Sequence, residues 1–133
     1  MSYASQTSSY REMEIHSASP ERLLVIVFEQ LVVNLERARI AMERKDIELR
    51  VTSLRRARGL VSELLATLDF EKGGDLALDL AALYQFLLGE LVDIGQRGDI
   101  VTMRKLVNIA THLRDGFDGA AQKVLAERKL MSA

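Results

Sequence analysis

Apolar positions along this chain recur in a +4/+3 rhythm that breaks and restarts, and the rhythm predicts four helices. The first follows Ser19-Pro20-Glu21. Here Ser19 can cap, Pro20 forfeits no donor that a first turn needs, and Glu21 complements the helix dipole. Its seam is Leu24, Phe28, Leu31, Leu35, Ala38 and Met42, and it runs to about Arg44. Asp46 caps a second helix with the seam Ile47, Val51, Leu54, Ala57, Val61, Leu64 and Leu68. Gly73-Gly74 closes the connector from Asp69 to Lys72, and Asp75 is expected to cap a third helix carrying Leu76, Leu80, Leu83, Leu87, Leu91 and Ile94. Gly95 and Gly98 interrupt the pattern. Asp99 then caps a fourth helix with the seam Met103, Leu106, Ala110, Leu113, Phe117, Ala121 and Val124. No stretch shows strand alternation bounded by turn signals. The expected helices cover 19–44, 46–69, 75–95 and 99–125, each about 20 residues and about 30 Å long. Their connections are short, so neighbours run antiparallel and the fold class is all-α, an antiparallel up-down four-helix bundle. Residues 1–18, rich in Ser, Thr, Gln and Tyr, read as a loose N-terminal arm, residues 19–126 as the bundle, and residues 127–133 as a C-terminal tail.

The first helix holds more apolar residues than one seam requires. At about 100° per residue, Ile26, Val33 and Ile40 fall opposite that seam, flanked by Arg22, Glu29, Glu36 and Arg37. A small domain does not leave such a stripe bare; a second copy, the chain's own arm or a partner covers it. The third helix repeats the surplus. Beyond its seam it carries Ala77, Leu78, Ala81, Ala82, Tyr84, Phe86, Leu88 and Val92. Each helix of a four-helix bundle keeps an outer face, so Leu78, Tyr84 and Leu88 are expected on a partner surface. In the arm, Tyr10 and Ile15 are the expected anchors. The pattern points to a binding module. It also leaves open a homodimer in which the surplus stripes form the seam.

Composition narrows the classes without changing this picture. A chain of 133 residues suits one domain. The net charge of −1 gives no electrostatic case for nucleic acid, and the absence of cysteine excludes disulfides and Cys-based zinc sites. The N-terminus lacks the basic and apolar regions of a secretory signal, and the longest apolar run, Leu23 to Phe28, is too short for a membrane span. A cytoplasmic protein without membrane insertion is expected. Neither His16 nor His112 has a Glu three residues before it, as a di-metal bundle requires. Gly73-Gly74 sits in no phosphate-loop pattern. Arg50, Arg55, Arg56 and Arg58 scatter around their helix among Glu43, Asp46, Glu48 and Glu63, a solvated face. No nucleophile–base pair is present, so no catalytic residue, cofactor or metal is expected, and the chain does not read as an enzyme.

Several segments carry a family resemblance. Ser17-Ala18-Ser19-Pro20-Glu21-Arg22-Leu23-Leu24 resembles the Thr-Ala-Ser-Pro-x-x-Leu start of the FliS family of flagellin export chaperones, and Tyr10 and Ile15 resemble that family's arm. Glu63-Leu64 through Leu68-Asp69 to Gly73-Gly74-Asp75-Leu76 is similar to the family's segment ending Gly-Gly-Glu/Asp-Ile/Leu. Leu80-x-x-Leu83-Tyr84-x-Phe86 resembles a Leu-x-x-Leu-Tyr-x-Tyr pattern, and Leu113-Arg114-Asp115-Gly116-Phe117 a Leu-Arg-Asp-x-Trp signature with Phe117 in place of tryptophan. Phe28-Glu29-Gln30 stands where the family usually has Tyr-Asp-Gly. The resemblance implies a chaperone that holds the disordered C-terminal segment of flagellin in apolar grooves, prevents its premature polymerisation, and delivers it to the cytoplasmic part of the export gate protein FlhA. It also implies an arm that covers part of the groove when no client is bound.

Overall fold

The computed structural model describes residues 19–132. Four helices follow in order: α1 (Pro20–Arg44), α2 (Ile47–Ala66), α3 (Phe70–Arg97) and α4 (Ile100–Met131). The arm, with Tyr10 and Ile15, lies outside the described residues.

The starts are set by side-chain caps, because the first turn's N–H groups have no carbonyl partners within the helix. Ser19 Oγ accepts from the Arg22 N–H at 3.2 Å, and Asp46 Oδ1 from the Leu49 N–H at 3.1 Å. Asp99 accepts from the N–H groups of Val101 and Thr102. The α1–α2 turn closes on Lys45, which takes the left-handed conformation at φ 57° and donates its N–H to the carbonyls of Ala41 and Met42.

The third start differs from the sequence expectation. Asp69, not Asp75, is the cap: its Oδ1 accepts from the Lys72 N–H at 3.0 Å. One helical turn forms before Gly74 breaks it at φ 51°, ψ −129°, and the helix then resumes on a new heading. Glycine takes this conformation without a Cβ clash, and the adjoining Gly73 leaves room that a Cβ would fill at 2.8 Å from Ala77 Cβ. The double glycine therefore bends α3 instead of preceding it. The far end of α4 differs as well. It stays helical to Met131, where a tail was expected from residue 127. Ala126 to Met131 contains no breaker, only residues with good helix propensity.

Helix α1 packs along both α2 and α4, α2 also packs along α3, and α3 and α4 touch only briefly. Ion pairs register the antiparallel α1–α4 contact at both ends. Arg128 grips Glu21 with two nitrogens, at 2.7 and 3.2 Å, beside the start of α1, and Arg104 meets Glu43 at 3.1 Å beside its end. The core takes Phe28, Leu31, Leu35 and Ala38 from α1, and Leu54, Ala57 and Val61 from α2. It takes Tyr84, Leu87, Leu91 and Ile94 from α3, and Met103, Leu106 and Ala110 from α4. The ring of Phe28 stacks on Phe117 with centroids 5.0 Å apart and tilts against Tyr84 at 6.4 Å, so one side chain joins three helices.

Two glycine substitutions check this backbone. Gly74→Ala should lower stability by about 1–2 kcal/mol, because alanine is strained at that positive φ. Gly116→Ala, in an open stretch of α4 where a Cβ meets nothing within 4 Å, should raise it by about 0.5–1 kcal/mol. Urea unfolding of both variants measures the two shifts. A neutral Gly74→Ala would mean that α3 has no such bend.

Candidate functional site

The two-sided packing of α1 decides where its surplus apolar residues go. Val25 and Val32 are buried beside the seam, so the buried arc is far wider than a single stripe. Ile26 is only 6% exposed, which corrects its expected place on an open stripe. It stands apart from the main core cluster, on the wall of a groove of about 400 Å³ between the first turns of α1 and the last turn of α2. Leu23, Leu24, Val27 and Leu64 supply the other apolar walls, and Glu63 and Thr67 the polar ones. A space of this size holds a few apolar side chains of an incoming chain. Further along α1, Val33 is 39% exposed and Ile40 is half-buried, so the outer stripe survives in part.

On α3 the expectations divide. Leu78 is exposed, and Leu88 is half-buried against the core cluster. Tyr84 is in the core at 1% exposure, which corrects its assignment to an outer surface. The bend at Gly74 and the contact with Phe28 orient the helix so that Ala77, Tyr84, Leu87, Leu91 and Ile94 face inward. Leu76, expected on the seam, is exposed instead.

Sequence reasoning did not single out the remaining exposed apolar residues as a site. Antiparallel packing gathers Leu23, Phe70, Leu76, Leu125 and Leu130, together with Leu78, which the sequence did place on a partner surface, at the end of the bundle where α1 and α3 begin and α2 and α4 finish. The unbroken run Leu23 to Phe28 was the one signal in the sequence, since a helix with six consecutive apolar residues must turn some of them outward. A second recess, about 260 Å³ between α1 and α4, is polar. Its charges answer one another: Arg39 donates to Glu36 at 2.9 Å and to Glu43 at 3.0 Å. Hydrogen bonding from Arg104, then the charge and hydrogen bond of Arg39, hold the Glu43 carboxyl below its usual range. Among the described residues no group of three His, Cys, Asp or Glu side chains is placed to hold a metal ion, and no helix is long and apolar enough to cross a membrane. His112 is exposed, its Nδ1 2.7 Å from the Asn108 carbonyl oxygen. The arrangement offers exposed apolar surface and an apolar groove at one end of the bundle.

Comparison with known proteins finds a family match and several relatives. Residues 2–124 match the family model described as flagellar protein FliS. The chain is 30% identical over 108 residues to the flagellar secretion chaperone FliSB of Pseudomonas aeruginosa, covering 81% of this chain and 86% of that protein. It is 27% identical over 113 residues to the flagellar secretion chaperone FliS of Salmonella typhimurium, covering 84% of each. With the flagellar secretion chaperone FliS of Campylobacter jejuni it shares 35% over 77 residues, 58% of this chain and 60% of that protein.

The buried phenol gives a pH test of the corrected α3 orientation. Burial pushes Tyr84 up from 10.0 to about 12. Between those values the unfolded chain has released this proton and the folded chain still holds it, so stability falls as pH rises. The contribution is whole below pH 10.0 and gone above about 12. Over that interval the wild-type chain should lose about 2 kcal/mol more than Tyr84→Phe, read from urea midpoints at successive pH values. Parallel losses in the two proteins would put Tyr84 in contact with water.

Proposed function

We propose that this chain, which belongs to the FliS family of flagellar proteins, is a cytoplasmic export chaperone that holds the disordered C-terminal segment of flagellin. It keeps that segment from polymerising early and delivers it to the cytoplasmic part of the export gate protein FlhA. The observation that carries this reading is the apolar surface at one end of the bundle, where the groove walled by Leu23, Leu24, Ile26 and Val27 lies at the same end as exposed Phe70, Leu76 and Leu78. A disordered segment has apolar side chains to bury and little structure to lose. Each side chain taken fully into such a groove contributes about 1.5–3 kcal/mol, reduced by the cost of ordering the segment. The same side chains are then withheld from contacts between flagellin molecules.

In this reading one stretch of the client enters the groove beside Ile26 and continues along α1 over Val33 and Ile40. Another stretch crosses the outer side of α3 over Leu78 and Leu88. Tyr10 and Ile15 of the arm occupy part of that path when no client is present. Recognition by apolar grooves demands little of the client's sequence beyond spacing, which suits a carrier that must hold a partner and later release it.

Co-expression with the flagellin of the same genome tests the proposal. A stable one-to-one complex should form with full-length flagellin and be lost when its C-terminal segment is removed. Capture that survives the truncation would overturn the reading. A chain that runs as a dimer of unchanged mass with and without flagellin would favour the homodimer. The double variant Val33→Asp with Ile40→Asp should keep its helicity and nearly its melting temperature while binding at least ~100-fold more weakly, about 2.7 kcal/mol. Calorimetric titration and circular dichroism give both quantities. If the variant unfolds, the two positions are core; if it binds as before, the client takes another path.

A further inference from the structure

Helix α3 carries a second seam that no other part of the described bundle covers. Leu78, Ala82, Gln85, Gly89 and Val92 follow +4/+3 spacing, and all five are exposed, Leu78 by 59% and Val92 by 52%. This is the spacing with which one helix meets another along its length. Two members, Ala82 and Gly89, are too small to hold a partner away, and a Cβ built on Gly89 meets nothing within 4 Å. The face is therefore shaped for close approach of a helix backbone. Its lack of a partner follows from topology, since α3 packs along α2 and barely touches α4.

The charges beside this seam are one-sided. Every residue of α3 between Gly74 and Gln96 that is charged at neutral pH is acidic: Asp75, Asp79, Glu90 and Asp93. At about 100° per residue all four fall along the same border of the seam, while Ala81 and Leu88 form the other. Lys72 and Arg97, the basic residues of α3, stand near its two ends, and Arg97 is paired with Asp93. A second copy of this chain fits poorly. The order large, small, Gln, small, large reads nearly the same in both directions and would favour antiparallel pairing about Gln85, which sets acidic border against acidic border.

We infer that the exposed flank of α3 is a docking site for an amphipathic helix with a narrow apolar or small-residue seam and Lys or Arg along the border that meets Asp75, Asp79, Glu90 and Asp93. The inference rests on the chaperone reading for which protein supplies that helix; the chemistry of the helix follows from α3 itself. Charge sets the orientation of the docked helix and excludes acidic competitors, and close packing over Ala82 and Gly89 sets its depth.

The probe is a helix-locked synthetic peptide of about three heptads, with Leu and Ala on its seam and Lys on its borders, compared with a counterpart bearing Glu on the borders. Fluorescence anisotropy with the full chain should show the Lys peptide binding at least about tenfold more tightly. The difference should shrink in about 1 M salt, where the screening length is roughly 3 Å. Gly89→Leu fills the close-approach point and puts a better helix former at an exposed position, so the fold is kept while Lys-peptide binding drops at least about tenfold. Gly59→Leu, at an exposed glycine of α2 with equal space around it, should leave binding unchanged. Asp75→Lys with Asp79→Lys should abolish the preference for the Lys peptide, with helicity checked by circular dichroism. Equal binding of both peptides, or an unaffected Gly89→Leu, would overturn the proposal. So would self-association of the wild-type chain that Gly89→Leu abolishes, since the face would then belong to a second copy. Because no flagellin is used, a negative result here leaves client capture to be judged separately.

Discussion

Helix α1 has to satisfy two neighbours along its length, and the rest of the bundle is arranged around that demand. Its buried arc extends from Ala38 and Leu31 through Phe28 to Val32 and Val25, and α2 and α4 cover it from either side. Phe28 sits at the centre, stacked on Phe117 of α4 and tilted against Tyr84 of α3. Loss of a side chain that joins three helices is felt in each of them, because close-packed interiors relax only partly around a void. The charged pairs along the α1–α4 edge play a smaller part. Arg128 with Glu21 and Arg104 with Glu43 are exposed, and such pairs set register more than they add stability.

The way α1 is covered leaves α3 with one extensive neighbour. A four-helix bundle with even contacts would bury the inward flanks of all four helices. Here α3 turns Tyr84, Leu87, Leu91 and Ile94 to the core and leaves Leu78, Phe86 and Val92 in water. This exposure is costly for a domain of this size unless another chain covers it. Under the proposed function it joins the groove beside Ile26 as surface for the client. A preformed surface would then leave the ordering cost to the client alone.

Much of the fold was legible from local physics. Ser19, Asp46 and Asp99 cap where their side chains and the following apolar rhythm place them, since capping depends on a few adjacent atoms. The third start was misread because Asp69 and Asp75 are both competent caps and Gly73-Gly74 reads as a stop in sequence. One turn between Asp69 and Gly74 forms all the same, and Gly74 becomes a bend within α3. The site was less legible. Val33, Leu78 and Leu88 keep some exposure, but Ile26 and Tyr84 do not, because periodicity places residues on a face without saying which face a neighbour covers.

By itself, then, the sequence determined four helices, most of their caps, the short antiparallel turns and an excess of apolar residues on α1 and α3, all of which depend on contacts within a few residues. Only the tertiary structure decided how that excess is divided. Packing rotated α3 so that Tyr84 meets Phe28, closed Ile26 into the α1–α2 groove, and left Leu78 and Val92 bare. The physical reason is that helix rotation and neighbour choice are settled by side chains distant in sequence competing for one volume, and no local pattern records the outcome of that competition.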